Sequence, residues 1–209
     1  DLLSLLQSPL MPPVSVIVPA HNESINIIES VLSVLQLRYP IFEVVVVNDG
    51  SSDDTLAILL ERFRMRRTER GFDSHIPCKP ILAVYESAEF PNLVAVDKRN
   101  GGKGDAQNAG INVSRYPLFC TIDGDSLLEE DALLRVARPF HDYPGQIVAT
   151  GGTIRIANGS LVRAGRITDA RLAHALLPRI QAVEYLRAFL FGRMGWSSFG
   201  GLLLISGAF

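Results

Sequence analysis

Cysteine is scarce in this chain, and neither sign of charge dominates. The two cysteines, Cys78 and Cys120, lie far apart without a Cys-x-x-Cys pair. Neither a zinc site nor a disulfide framework is indicated, and we expect two core thiols in a reducing compartment. There are 20 Lys and Arg against 22 Asp and Glu, which gives a net charge of −2. Because no overall positive field would attract nucleic acid, we expect none as a partner, and any anion site must be local.

Long apolar runs are also nearly absent. The first ten residues lack the basic region of a signal peptide. A membrane-spanning helix needs about 20 apolar residues, and the one candidate, residues 188–209, contains Arg193 and five glycines. A buried strand at 201–205, preceded by an amphipathic helix, is the favoured interpretation. The chain starts without Met, so we expect a fragment of a longer protein.

Alternating strands and helices are the main signal that is present. The length of 209 residues suits one α/β domain, and valine-rich runs bounded by polar loops predict buried parallel strands. The predicted strands are Val14–Val18, Phe42–Val47, Ile81–Tyr85, Leu93–Val96, Leu118–Ile122 and Ile147–Ile156. The predicted helices are one capped by Asn22, one starting near Asp53, Lys103–Val113, Glu130–Ala137 and Thr168–Phe191. The arginines at 62, 64, 66, 67 and 70 are expected at a solvated helix end.

Polar segments follow four of the predicted strands, at residues 19–23, 48–53, 97–103 and 123–125. Because the carboxyl ends of parallel strands meet at one edge of a sheet, these segments should converge there. Each alone also has a structural explanation, since Asn-Asp-Gly forms turns and Asp caps helices. Four such segments at one edge favour a ligand site.

Asp123 and Asp125 are the sharpest candidate metal ligands. Side chains two residues apart in an extended segment point the same way, and Gly124 lets a ligand approach the backbone. Mg²⁺ and Mn²⁺ prefer oxygen ligands and often use one or two carboxylates together with substrate phosphates. Lys103 follows two glycines at a predicted helix start, where its charge suits a pyrophosphate, although a merely solvated lysine is the alternative.

Two common phosphate-binding motifs fail to match. A Walker A loop would need Gly at position 97 and Ser or Thr at 104, where Asp97 and Gly104 stand. A Gly-x-Gly-x-x-Gly motif from Gly102 would need Gly in place of Gln107. ATPase and dinucleotide-dehydrogenase functions are therefore not supported.

These segments resemble, in order, four motifs of the family 2 glycosyltransferases. The resemblance is greatest to processive membrane enzymes such as the hyaluronan, chitin, cellulose and poly-N-acetylglucosamine synthases. Residues 14–23 resemble the first strand and uridine-contacting loop, and 46–55 resemble the second. Residues 100–110 are similar to the Gly-Lys helix, and 123–125 to the metal-binding Asp-x-Asp.

The resemblance implies a GT-A fold, an α/β Rossmann-like three-layer sandwich with a mostly parallel central sheet. It would span residues 12–209 after a lead-in of 1–11 and be incomplete at its C-terminus. It also implies inverting transfer from a UDP-sugar, held through Mg²⁺ or Mn²⁺, to a glycan acceptor. The implied nucleotide-sugar contacts are Pro19, Ala20, Glu23, Asp49, Lys103, Asp123 and Gly124, and the implied metal ligands are Asp123 and Asp125.

The implied catalytic base is expected beyond Phe209, so the chain alone would bind donor without transferring it. An acid within the chain, such as Glu184, is the alternative. The resemblance further implies membrane association through segments outside this chain, with the domain on the cytoplasmic side. One rival function is a non-catalytic nucleotide-sugar-binding or regulatory module. Another is nucleotidyl transfer, which would need an arginine-bearing Gly-rich loop where residues 19–23 stand.

Overall fold

The computed structural model describes residues 5–6, 8, 10–153, 157, 159–171 and 175–188. Its strands are β1 (Val14–Ala20), β2 (Phe42–Asp49), β3 (Met65–Thr68), β4 (Ile81–Ser87), β5 (Leu93–Lys98), β6 (Leu118–Thr121), β7 (Leu161–Arg163) and β8 (Arg166–Asp169). Its helices are α1 (Ile27–Leu35), α2 (Thr55–Arg62), α3 (Lys103–Val113), α4 (Ala132–Asp142) and α5 (Leu176–Arg187). The strand predicted at 201–205 lies outside the described residues.

Six strands form the central sheet in the order β3-β4-β5-β2-β1-β6. Strands β5, β2, β1 and β6 are parallel, whereas β4 and β3 continue the sheet in antiparallel fashion. The parallel register places Ala20 beside Asn48, and Asn48 beside Asp97. The carboxyl ends of β1, β2 and β5 therefore lie side by side. The predicted mostly parallel sheet is confirmed.

Apolar side chains cover both faces of this sheet. On one face, Val16 and Val18 pack in a cluster with residues of α1, α2 and α4. On the other face, Ile17 packs in a second cluster with residues of α3. Each fully buried valine contributes roughly 1.5–3 kcal/mol, and burial on both faces explains the unbroken valine runs. The predicted α/β three-layer arrangement is confirmed.

Helix α3 approaches the sheet closely because residue 110 is glycine. A Cβ atom there would lie 2.4 Å from Cγ2 of Ile17. The bounds of this helix, Lys103–Val113, match the sequence prediction. The close packing fixes the position of α3 on the sheet. It therefore also fixes the position of Lys103, the first residue of α3, relative to the carboxyl ends of the strands.

The first helix starts later than predicted, and the arginine segment has a partly different structure. Asn22 adopts a φ of +58°, and α1 begins only at Ile27. The arginines at 62, 64, 66 and 67 are exposed, and Arg62 ends α2, as predicted for a solvated helix end. The residues that follow form strand β3, which was not predicted, and only Arg70 is buried against the prediction. Arg70 has a side chain only 4% exposed and pairs with Glu43 Oε2 at 2.9 Å. The prediction failed because the partner that permits burial of this charge is 27 positions away.

Two predictions in the C-terminal third were wrong in whole or in part. Residues 147–153 form neither strand nor helix, and Val148 is 95% exposed, whereas 154–156 lie outside the described residues. The helix predicted over 168–191 is confirmed at Leu176–Arg187, which is α5, with Pro178 in its first turn, where proline is tolerated. Residues 168 and 169 belong instead to β8, and 172–174 and 189–191 lie outside the described residues. None of the helices among the described residues is both long and apolar enough to cross a membrane.

Candidate functional site

The loops after β1 and β2 are joined by hydrogen bonds from the backbone of one to side chains of the other. Asn22 N donates to Ser51 Oγ at 3.0 Å, and Ser52 N donates to Asn22 Oδ1 at 2.8 Å. Glu23 N donates to Thr55 Oγ1 at 2.9 Å. Asn22, which was predicted to cap a helix, instead joins the two loops. We call these hydrogen bonds between the two loops the clasp, and one of them fixes the backbone of Glu23.

Asp53 strengthens the same clasp. Its carboxylate accepts hydrogen bonds from Thr55 Oγ1 at 2.5 Å, Thr55 N at 3.0 Å and Ser24 N at 3.2 Å. These bonds, with that of the Thr55 hydroxyl the largest cause, lower the pKa of Asp53 to about 2. Asp53 is thus ionised at neutral pH and links the β2 loop to the β1 loop.

His21 lies over the end of β2. Its Nδ1 is 2.9 Å from the backbone oxygen of Asp49 and donates to it. Asn100 Nδ2 donates to the same oxygen at 2.9 Å. Three of the four polar segments therefore meet at one carbonyl group, as the sequence predicted for the sheet edge.

Asp49 has its carboxylate almost entirely inside the protein. Its side chain is 4% exposed and lies 2.5 Å, through Oδ1, from Nζ of the buried Lys98. The backbone N–H groups of Gly101 and Gly102 donate to Asp49 Oδ1 and Oδ2 at 3.0 and 2.7 Å. The Asp49 carboxylate is therefore surrounded by donors from the protein itself. Its implied contact with a nucleotide-sugar stays a prediction.

Lys98 is the residue of this edge that sequence reasoning missed. Its side chain is 0% exposed, and Nζ lies 2.5 Å from an oxygen of both Asp49 and Asp105. We call Asp49, Lys98 and Asp105 the carboxyl-edge cluster. The available signal was a lysine at the end of a buried strand next to a strand that ends in aspartate.

The Asp123-Gly124-Asp125 segment forms a turn and is not extended as predicted, since Ser126 N donates to Asp123 O at 3.0 Å. The Asp123 side chain is 34% exposed and forms an ion pair with Lys103, while Asp125 is exposed. The turn lets Asp123 reach the start of α3. Lys103 and Asp123 are thus brought together from separate predicted motifs.

Gly124 is buried against the end of β1 and the loop that follows it, residues 19–23, which we call the first loop. A Cβ atom at this position would lie 2.9 Å from the backbone oxygen of Pro19, 3.4 Å from Cγ of Glu23 and 3.6 Å from Cα of Ala20. Pro19 and Ala20 are themselves buried at the end of β1, and Glu23 is half-buried. The close approach requires glycine and places the acidic turn directly beside the first loop.

The two aspartates of the acidic turn are the candidate metal ligands at this edge of the sheet. Asp123 and Asp125 offer carboxylate oxygens, the donor type that Mg²⁺ and Mn²⁺ prefer. In the described part of the chain, no group of three or more His, Cys, Asp or Glu side chains is arranged to hold a metal ion. An ion at this turn would therefore take its remaining ligands from substrate oxygens and water.

A groove of about 610 Å³ lies beside the loop that follows β2, and Asn48 and Asp97 are among its lining residues. Asn48 Nδ2 donates to Asp97 Oδ1 at 2.8 Å. The Asn48 Oδ1 atom is buried and has no hydrogen-bond partner among the described residues. The amide is oriented by Asp97 and leaves one acceptor unused at the edge of the sheet.

Known proteins resemble this chain along most of its length. The sequence model of glycosyl transferase family 2 matches residues 15–76 and 77–193. A poly-beta-1,6-N-acetyl-D-glucosamine synthase of Staphylococcus epidermidis is 27% identical over 196 residues, which cover 94% of this chain and 38% of that protein. The synthase of the same name from Staphylococcus aureus (strain COL) is 25% identical over 197 residues, with the same coverage. The chain thus spans about two fifths of the length of these relatives.

The fold also resembles a solved glycosyltransferase. The mannosyltransferase PcManGT from Pyrobaculum calidifontis, in complex with GDP-Man and Mn²⁺, is 21% identical, with a TM-score of 0.53. The match covers 71% of this chain and 37% of that one, and it supports the GT-A-like fold. Since the family model matches well over half of its residues, this chain belongs to glycosyl transferase family 2.

Proposed function

We propose that this chain is the donor-binding part of a glycosyltransferase and binds a UDP-sugar at the carboxyl edge of its sheet. The observation that carries the proposal is the packing of Gly124 against Pro19 and Glu23, together with the ion pair between Lys103 and Asp123. These contacts join the first loop, the start of α3 and the acidic turn. A helix start with a cation suits a diphosphate, and carboxylates commonly hold the divalent metal that accompanies it.

In this proposal the site has a uridine side and a diphosphate side. Pro19, Ala20 and Glu23 form the uridine side. Asp49 lies at the strand end there and contacts His21 and residues 99–102, which we call the glycine loop. Lys103, Asp123 and Gly124 form the diphosphate side. The start of α3 adds the positive end of a helix dipole to the charge of Lys103. Asp123 and Asp125 would hold Mg²⁺ or Mn²⁺, which supplies charge neutralisation for the departing diphosphate when bound.

The proposed donor is UDP-N-acetylglucosamine or a related UDP-hexose. Support comes from the relatives, which are named as synthases of a β-linked polymer of N-acetylglucosamine. UDP-N-acetylglucosamine carries its sugar in α linkage, so a β-linked product requires inversion at the anomeric carbon. The glycan acceptor, association with a membrane through other segments and an orientation toward the cytoplasm stay predictions.

The test is calorimetric titration of UDP into this chain with Mn²⁺, with Mg²⁺ or with a chelator. We expect binding that depends on the metal and weakens at least tenfold in Asp125→Ala, a loss of about 1.4 kcal/mol. The matched control is Asp73→Ala, because Asp73 has a side chain 87% exposed in the segment between β3 and β4. GDP serves as the control nucleotide. Folded wild-type protein that binds no UDP with either metal would refute the donor site.

A further inference from the structure

Lys98 carries a fully buried positive charge whose partners are all identified. Its Nζ lies 2.5 Å from Asp49 Oδ1 and 2.5 Å from Asp105 Oδ1. It also donates to the backbone oxygen of Arg99 at 2.7 Å. An ammonium group has three hydrogens, so each has an acceptor. A buried lysine is tolerated only with such pairing, and the pairing fixes the positions of the groups around it.

The two carboxylates extend this order to the start of α3. Asp49 accepts hydrogen bonds from the backbone N–H groups of Gly101 and Gly102, which immediately precede the helix. Asp105 lies in the first turn of α3 and accepts one bifurcated hydrogen bond from the N–H group of Lys79, with Oδ2 at 2.9 Å and Oδ1 at 3.1 Å. Two negative charges and one positive charge thus hold both sides of the glycine loop.

The geometry of the loop leaves little freedom for another arrangement. A Cβ atom at Gly101 would lie 2.3 Å from Oδ1 of Asp105. Gly102 has a φ of +88°, in the region that favours glycine. The next residue, Lys103, forms the ion pair with Asp123. A path of direct contacts therefore runs from Lys98 to the acidic turn.

The pKa shifts of Lys98 and Asp105 both favour the charged forms of these side chains. Burial alone would lower the pKa of Lys98, but hydrogen bonds to Asp105 and Asp49 outweigh it and raise the pKa. The hydrogen bond from Lys98 is the largest cause that lowers the pKa of Asp105. The cluster thus keeps its ion pairs under the conditions of a binding experiment.

We propose that Lys98 is a positioning residue for the donor site: by bridging Asp49 and Asp105 it holds residues 99–102 and the first turn of α3, and so places Lys103 beside Asp123. This inference rests on the proposed function, because the site that it serves is the proposed diphosphate side. Lys98 itself is fully buried and acts through the glycine loop. Asp49 is a second positioning residue in the same cluster.

The first test is Lys98→Met in the 209-residue chain, with the affinity for UDP and Mn²⁺ measured by calorimetry. Methionine keeps the unbranched, apolar stem of the side chain as far as Cε and removes the ammonium group. We expect at least a tenfold loss of affinity with cooperative unfolding retained. The matched control is Arg70→Met, which removes another buried cation, 4% exposed, from the opposite edge of the sheet. We expect its affinity to stay within twofold of the wild type.

If the charge of Lys98 matters, removal of one carboxylate charge should restore part of the affinity lost in Lys98→Met. No such recovery is expected if Lys98 only fills space. Lys98→Met leaves two carboxylates facing each other, whereas the double variant Lys98→Met with Asp105→Asn restores the original net charge of −1. We expect the double variant to bind UDP and Mn²⁺ at least threefold more tightly than Lys98→Met. An unchanged affinity in Lys98→Met, or an equal loss in Arg70→Met, would overturn the inference.

Hydrogen exchange in nucleotide-free protein separates this inference from the proposed function. The amides of Gly101 and Gly102 should exchange at least tenfold faster in Lys98→Met than in the wild type, and at the wild-type rate in Arg70→Met. If the wild type binds no UDP, the proposed function fails, and exchange alone decides: faster exchange supports the positioning role and unchanged exchange overturns it. Should Lys98→Met fail to fold, Asp105→Asn is judged by the same two amides.

Discussion

Buried charge occurs at both edges of the central sheet, but with different surroundings. At the carboxyl edge, Lys98 is 0% exposed between Asp49 and Asp105. At the amino edge, Arg70 pairs with Glu43, and both side chains are about 95% buried, at 4% and 5% exposure. Each edge therefore holds a basic side chain against a carboxylate at one end of β2. Burial of charge alone does not distinguish a binding site from a structural contact.

The partners of the two clusters make the distinction. The carboxyl-edge cluster contacts a glycine loop that leads to the exposed pair of Lys103 and Asp123. We call Glu43, Arg70 and Ser15 the amino-edge cluster. Its further contacts include Glu86 of β4, which pairs with Arg70 at 3.6 Å. They also include backbone atoms at the end of α3 and before β6, namely the oxygen of Val113 and the nitrogen of Arg115. One cluster orders a loop that faces solvent, and the other joins secondary-structure elements to one another.

Breaking the amino-edge pair should have the largest effect on stability and none on binding. Glu43→Gln keeps an oxygen that can accept from Ser15 Oγ and Arg115 N. It removes the nearer and buried of the two carboxylates that pair with Arg70, and leaves Glu86, whose side chain is 40% exposed, at 3.6 Å. Removal of one partner of a buried ion pair costs roughly 3–5 kcal/mol. Urea unfolding followed by circular dichroism measures this cost. The affinity of the folded variant for UDP and Mn²⁺ should stay within twofold of the wild type.

The addition of Arg70→Met to Glu43→Gln sharpens this measurement. The double variant has no buried charge at the amino edge, so it should be less destabilised than the sum of the single variants. Strict additivity would mean that the two side chains do not stabilise each other. A tenfold loss of nucleotide affinity in either single variant would remove the functional difference between the two edges.

Gly124→Ala should have the next largest effect, and it should act at the carboxyl edge. The added Cβ would lie 2.9 Å from the backbone oxygen of Pro19, so the acidic turn must move away from the first loop. We expect a stability loss of about 1–3 kcal/mol and roughly a tenfold loss of affinity for UDP and Mn²⁺, about 1.4 kcal/mol. Calorimetry and urea unfolding on the same preparation measure both quantities.

Gly71→Ala is the matched control for that substitution. Gly71 is exposed between β3 and β4, and a Cβ atom there would have nothing within 4 Å. The control should therefore keep the stability of the wild type and bind nucleotide equally well. Equal binding by both glycine variants would show that the contact between the turn and the first loop is not needed for the site.

The parallel core was predictable because its signals are local. Valine runs that are buried on both faces mark β1 and β2, and two glycines before Lys103 mark the start of α3 with the correct residue. The convergence of the polar segments followed from a general property of parallel sheets. Periodicity and turn residues thus sufficed to locate the candidate site.

Two of the failures concern basic residues whose burial depends on distant partners, and a third concerns a local turn. Arg70 is buried because Glu43 lies beside it, and Lys98 is buried because Asp49 and Asp105 neutralise it. The sequence around Arg70 carries no sign of its partner, and the signal for Lys98 depends on knowing that its strand pairs with the one that ends in Asp49. Asp123 was assigned to an extended segment because a two-residue spacing suits a strand, whereas a hydrogen bond to Ser126 N closes a turn.

The smallest expected effect concerns Asp53, at the surface of the carboxyl edge. Hydrogen bonds from Thr55 and Ser24 lower its pKa to about 2, below the value of roughly 4 in an unfolded chain. A carboxylate with a lowered pKa stabilises the fold above its unfolded pKa, and this contribution is lost as the pH falls through about 2. The difference in urea midpoint between wild type and Asp53→Asn should therefore be present at pH 6 and shrink progressively below pH about 4. Asp54→Asn is the matched control, since the Asp54 side chain makes no capping hydrogen bond to α2. A difference for Asp53→Asn that stays constant down to pH about 3 would mean that the clasp between the two loops does not depend on the charge of Asp53.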